Sequence, residues 1–151
     1  MNTNLIEYRP PRIAMAFLAI AAVFHWLAPL PAPHLYSSIY LGGVLVSAGF
    51  AIMMWAWWQF QQRKVAICPT QATESLITDG VYRLTRNPMY LGMVLMLIGA
   101  AACIGSLPFY LAATVYLVVI DRLFCRFEER KLTRTFGHEY EDYRSKVRRW
   151  L

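Results

Sequence analysis

The chain has 151 residues, a length that suits one domain. Hydrophobic residues make up 58% and charged residues 16% of it, against about 45–50% and 25% in soluble domains. The net charge of +6 does not point to nucleic acid, because the cations alternate with acids and flank oily runs, as on the cytoplasmic side of a membrane protein.

In chain order, the N-terminus carries Arg9 and Arg12 and no small-residue cleavage site after a short apolar core. No removable signal peptide is expected, and the first apolar segment stays in the protein. No Asp, Glu, Lys or Arg occurs from Ile13 to Gln62, nor from Asn87 to Ile120, and a membrane-spanning helix needs about 20 such residues. The first run is cut by APLPAPH (Ala28 to His34), whose prolines cannot continue a helix. It predicts spans over residues 13–27 and 35–60. The second run is cut at IGSLPF (Ile104 to Phe109) and predicts spans over 88–104 and 108–124, short ones that local thinning or interfacial anchors accommodate.

The expected fold class is therefore all-α: a polytopic integral membrane protein of about four transmembrane helices. It is read as one domain, 1–151, with a cytoplasmic loop 61–87 and a cytoplasmic amphipathic helical tail 125–151. The central connection holds Arg63, Lys64, Arg83 and Arg86, and nine Lys and Arg follow Ile120. The turns at 28–34 and 104–109 hold none. One-sided cations predict that both termini are cytoplasmic, in the inner membrane if the source is bacterial. In the tail, Phe136, Tyr140, Tyr143, Val147 and Trp150 form one helical stripe, which Gly137 interrupts near its start. One or two amphipathic helices are expected there, against the membrane or on the central connection.

Residues with chemical potential gather at the borders of the spans. Asn87 is a favoured N-cap and Pro88 a favoured first helical residue, so a helix start faces the interface and can hold an anion. Arg83 and Arg86 read as snorkelling anchors and Tyr82 and Tyr90 as interfacial aromatics. Glu128 and Glu129 are flanked by Arg126, Arg130 and Lys131; they read either as a solvated helix face or as a holder for a ligand's ammonium. Cys68, Cys103 and Cys125 have no metal or redox spacing, and His25, His34 and His138 suggest no zinc site. His25, inside a span, is expected to hydrogen-bond between helices. There is no phosphate loop or nucleophile motif. A transporter is disfavoured, since no span carries midplane charge.

Two motifs together carry a resemblance. LITDGVYRLTRNPMYLG (Leu76 to Gly92), then a helical hairpin, then EERKLTRTFGHEYEDYRSKVRRW (Glu128 to Trp150) resembles the isoprenylcysteine carboxyl methyltransferase and phospholipid methyltransferase superfamily. These are integral membrane enzymes that use S-adenosylmethionine and release S-adenosylhomocysteine. The resemblance covers roughly the second half of the chain. It implies a cofactor site of Glu74, Ser75, Leu76 and Ile77, the turn tyrosine Tyr82, the segment Arg86, Asn87, Pro88, Met89 and Tyr90, and Glu128 after the last span. It implies no metal. Asn87 stands where the isoprenylcysteine enzymes have histidine, and still offers a donor and an acceptor. Phe124 stands where they have a substrate-contacting arginine. The flanking Arg122 and Arg126 are the candidate replacements, so the catalytic set is Glu128, Arg126 and Arg122.

The implied activity is methyl transfer from S-adenosylmethionine to a lipophilic or lipidated acceptor in the bilayer, of isoprenylcysteine carboxyl type. The alternatives are a phospholipid or small-amine N-methyltransferase of the same fold, or a non-catalytic membrane module for binding or assembly.

Overall fold

The computed structural model describes residues 10–28, 30, 37–63 and 75–151. The protein is an all-α polytopic membrane protein. Its helices are α1 (Pro10–Leu27), α2 (Ile39–Arg63), α3 (Pro88–Ile104), α4 (Leu107–Val119), α5 (Arg126–Phe136) and α6 (His138–Lys146). A 3₁₀ turn (Gly80–Arg83) precedes α3, and a π turn (Ile120–Cys125) joins α4 to α5.

Helix α3 has the expected bounds. Helix α1 begins before the first span expected at 13, because Arg12 sits comfortably in a first helical turn. Helix α2 runs to Arg63, past the expected end at 60, for the same reason: an apolar run ends at a charge, but a helix does not have to. The start of that span expected at 35 lies outside the described residues. The fourth span, expected over 108–124, is carried by a helix that runs well past it. Leu107 to Phe136 is one continuous 30-residue helical rod. No glycine or proline occurs between Pro108 and Gly137 to break it. The boundary between span and tail is chemical and not conformational.

Helices α2 and α3 pack antiparallel along a seam of glycines. A Cβ on Gly49 would lie 2.5 Å from the Gly92 carbonyl oxygen, and one on Gly99 would lie 2.8 Å from that of Gly42. Backbones this close gain dispersion contacts where lipid offers no hydrophobic driving force. On the other face of α3, Tyr90, Met93, Val94 and Leu97 meet Ala113, Tyr116, Ile120 and Phe124 of the fourth rod. Helix α1 closes this core through Ala14 and Phe17, whose ring stands edge-on to Tyr116 at 6.2 Å. Where α1 ends, His25 Nδ1 and Ser106 Oγ share a 2.8 Å hydrogen bond, the interhelical role expected of His25.

Gly137, at φ +51°, turns the chain back between α5 and α6. The aromatic stripe then packs on the central connection: Tyr140 and Tyr143 bury against Ile77, Val81 and Tyr82, with Phe136 and Val147 alongside. This docking puts the tail over the border where α3 begins.

Candidate functional site

The connection before α3 is pinned at both ends. Gly80 has φ +57°, and a side chain there would collide with the Gln59 amide. That amide donates to the Asp79 carbonyl at 3.1 Å and accepts from Val81 N–H at 3.3 Å. Arg63 reaches Asp79 at 2.6 Å. The 3₁₀ turn then buries Val81 and Tyr82. After it, the segment 85–87 is held by the chain that follows α6. Arg86 N–H donates to the Arg148 carbonyl at 3.0 Å. Thr85 Oγ1 and Asn87 Nδ2 both donate to the Arg149 carbonyl, at 2.9 and 3.1 Å.

Asn87 does stand at the N-cap position of α3 with Pro88 next, but its side chain makes no capping bond. The amide is used on Arg149 instead. The first turn of α3 therefore has no side-chain cap, and its N–H groups and positive dipole end are left for another partner.

The two adjacent glutamates have different surroundings, because neighbours on a helix point about 100° apart. Glu129 is buried, at 7% exposure. It takes Arg149 Nε at 2.8 Å and Nη2 at 2.6 Å, and Arg86 Nη1 at 3.0 Å. Arg149 also bonds Asp121 at 3.0 Å, which accepts from Trp150 Nε1 at 3.0 Å. Glu128 instead accepts a 2.6 Å bond from Tyr90 OH and is partly open to a cleft. Glu128 lies eight residues past Ile120, about 12 Å beyond the apolar span. Burial pushes its carboxyl up to about 7, against the opposing pull of the Tyr90 bond and Lys131.

The cleft has a volume of about 500 Å³ including its open mouth. Seven of the residues expected in the site line it: Ser75, Leu76, Ile77 and Tyr82 from the connection, Arg86 and Asn87 at the start of α3, and Glu128 from α5. Pro88, Met89 and Tyr90 do not line it. Tyr90 stands behind Glu128 and fixes its carboxylate, and Met89 packs against the cluster that contains Tyr82 and Tyr140. Glu74 lies outside the described residues. Arg122 and Arg126 are exposed and are not brought to the cleft. The sequence reading missed Phe60, Leu132, Tyr140 and Tyr143 as lining residues, and Glu129, which it did not separate from Glu128, lines the cleft as well. The stripe containing Tyr140 and Tyr143 was visible, but what it faces was not.

One wall holds an unmet donor. Arg86 Nη1 donates to Tyr140 OH at 3.2 Å and pairs with Glu129, while its Nε is buried without a partner among the described residues. A buried orphan donor is rare in a finished structure. The cleft thus offers an open carboxylate, the guanidinium of Arg86 and a wall of aromatic rings.

A family profile described as Phospholipid methyltransferase matches residues 37–139. The chain is 37% identical over 75 residues to a probable protein-S-isoprenylcysteine O-methyltransferase of Oryza sativa subsp. indica, covering 48% of this chain and 38% of the relative. It is 28% identical over 107 residues to the methanethiol S-methyltransferase of Pseudomonas deceptionensis, covering 70% of this chain and 39% of the relative. It is 32% identical over 75 residues to the protein-S-isoprenylcysteine O-methyltransferase of Schizosaccharomyces pombe, covering 48% and 30%. The chain thus spans well under half the length of these relatives. No solved structure matches it.

Proposed function

Because the chain belongs to the phospholipid methyltransferase family, we propose that it is a methyltransferase that uses S-adenosylmethionine and acts on a lipophilic acceptor at the cytoplasmic face of a membrane. The observation that carries this reading is the split between Glu128 and Glu129. Glu129 is fully engaged by Arg149 and Arg86, so Glu128 is the carboxylate left facing the cleft.

The groups of the cleft fit the cofactor. Glu128 would hold its ammonium, a charge-assisted contact that Tyr90 orients from behind. The guanidinium of Arg86, which lines the cleft, would hold its carboxylate. Tyr82, Tyr140, Tyr143 and Phe60 offer ring faces, and Leu76, Ile77 and Leu132 apolar contact, for its adenine. When bound, S-adenosylmethionine supplies a methyl group on a sulfonium, a leaving group that is already activated. What remains for the protein is alignment and exclusion of water, effects worth several kcal/mol in well-positioned reactions. Tyr143 helps close the site by donating a 2.6 Å bond to the Tyr82 carbonyl, which fastens the tail across the cleft.

Glu128 lies about 12 Å along the rod past the charge-free run, at the level of the headgroups, so the acceptor is a molecule whose polar end reaches that level while its apolar part stays in lipid. The matched relatives are named for a carboxylate acceptor and a thiol acceptor. An isoprenylcysteine-like carboxylate is the reading we put first, and a phospholipid or small amine the second. Neither Arg122 nor Arg126 faces the cleft, so contact between them and the acceptor needs the acceptor to extend around the rod.

The test is product identification. Purified protein, host lipid extract and methyl-labelled S-adenosylmethionine are expected to give a labelled molecule that partitions into the organic phase. Added S-adenosylhomocysteine should suppress it. Absence of any labelled lipophile with each acceptor class supplied would contradict the proposal.

A further inference from the structure

One face of the fourth helical rod changes character partway along. Leu107, Leu111, Val115 and Val118 are exposed, at 39%, 56%, 46% and 53%, with spacings of four, four and three. Continuing that spacing gives Arg122, Arg126, Arg130 and Arg134, all exposed. The π turn widens the helix between Ile120 and Cys125. Arg122 and Arg126, four apart, fall almost in line because of it. Phe124, Cys125 and Glu129 are buried on the opposite side.

Among the described residues these arginines have little to hold. Among the described carboxylates Arg122 approaches its neighbour Asp121 alone, at 3.6 Å, and that carboxylate is already bonded by Arg149 and Trp150. Among the described residues, no carboxylate pairs with Arg126, Arg130 or Arg134 within 4.0 Å.

Depth along the rod decides what they meet. Arg126 lies about 28 Å and Arg134 about 40 Å from Leu107 at the helical rise. The hydrocarbon core of a bilayer is about 30 Å thick, and about 40–45 Å with its headgroups. The stripe therefore crosses the headgroup layer, and Arg122 reaches that layer by snorkelling. The lipid whose chains cover Leu111, Val115 and Val118 brings its phosphate to the guanidiniums on the same face. Arginine matches phosphate with two parallel N–H donors.

We infer that Arg122, Arg126, Arg130 and Arg134 form a docking stripe for anionic phospholipid headgroups. The occupant is membrane lipid, because the stripe continues a lipid-facing apolar face without a break. Two of the four, Arg122 and Arg126, are the arginines that the sequence offers as replacements for the family arginine missing at Phe124, and this surface gives them a different partner. The inference does not depend on the methyltransferase reading.

The experiment uses full-length protein in vesicles of equimolar phosphatidylcholine and phosphatidylglycerol. Lipids retained on gentle extraction are counted by native mass spectrometry, with no methyl donor present. Wild-type protein should retain phosphatidylglycerol in preference to phosphatidylcholine. Attraction to an anionic surface is worth roughly five-fold per arginine, so changing all four to Gln should cut that preference at least about ten-fold, with helicity by circular dichroism unchanged. If the four-fold variant does not fold, Arg122→Gln/Arg126→Gln and Arg130→Gln/Arg134→Gln are measured separately, and each should lower the preference several-fold. Unchanged preference in the folded variants overturns the inference, including the case where the stripe binds an acidic protein segment instead of lipid.

Discussion

Changing Glu129 to Gln removes the carboxylate that two arginines share in a largely buried setting. Loss of one partner from a buried pair typically costs about 3–5 kcal/mol. The expected outcome is a lower thermal midpoint in detergent for Glu129→Gln, and a similar drop for Arg149→Met, which unlocks the same carboxylate. Glu128→Gln should leave the midpoint near the wild-type value, since Glu128 faces the cleft. The raised pKa of Glu128, about 7, adds a pH signature to its assigned role. A raised carboxyl is protonated, and unable to pair with an ammonium, below that pH. Affinity for S-adenosylhomocysteine should therefore rise about ten-fold from pH 6 to pH 8 as Glu128 ionises, and Glu128→Gln should flatten the profile. An unchanged slope in the variant would remove Glu128 from ammonium binding. The sequence placed both glutamates at the border and could not tell them apart. Their difference is set by Arg149, twenty residues along the chain, and only the folded tail brings the two together.

At the scale of elements, the glycine seam makes a sharp prediction. A side chain at Gly49 or Gly92 has a backbone carbonyl 2.5 Å from its Cβ, so the helices have to separate. Overpacking of this kind costs about 1–3 kcal/mol or more, and Gly49→Leu or Gly92→Leu should lower the unfolding midpoint in detergent. Gly43 has nothing within 4 Å of an added Cβ, so Gly43→Ala serves as the control and should be near neutral. Equal midpoints for all of these variants would contradict the α2–α3 packing. Helix existence was legible from charge-free runs, and the start of α3 from Asn87 and Pro88. The end of the fourth helix was not, because hydropathy reports where lipid ends and says nothing of hydrogen bonding. The α2–α3 seam is not legible in the sequence, because small residues in a span become informative only once the partner helix is known.

For the whole molecule, the one-sided cations predict that both termini are cytoplasmic. Reporter fusions at Ala32 and Leu151 should report opposite sides, with Leu151 cytoplasmic, and an external Leu151 would invert the topology. That orientation would put the cleft, the tail and the arginine stripe on the face where, in the proposed function, a soluble cofactor meets a lipophilic acceptor. The family was legible because its two motifs are separated in sequence but keep their order. The cleft they build was only half legible, since α2 and α6 contribute Phe60, Tyr140 and Tyr143 through tertiary packing alone. The most direct measurement of the central claim is calorimetric titration of the purified protein with S-adenosylhomocysteine at pH 8, beside Glu128→Gln. The account predicts saturable binding to the wild type and a roughly thirty-fold or greater loss in the variant, as for a desolvated charge pair worth about 2–5 kcal/mol. No binding to the wild type, or equal affinity in both proteins, would contradict it.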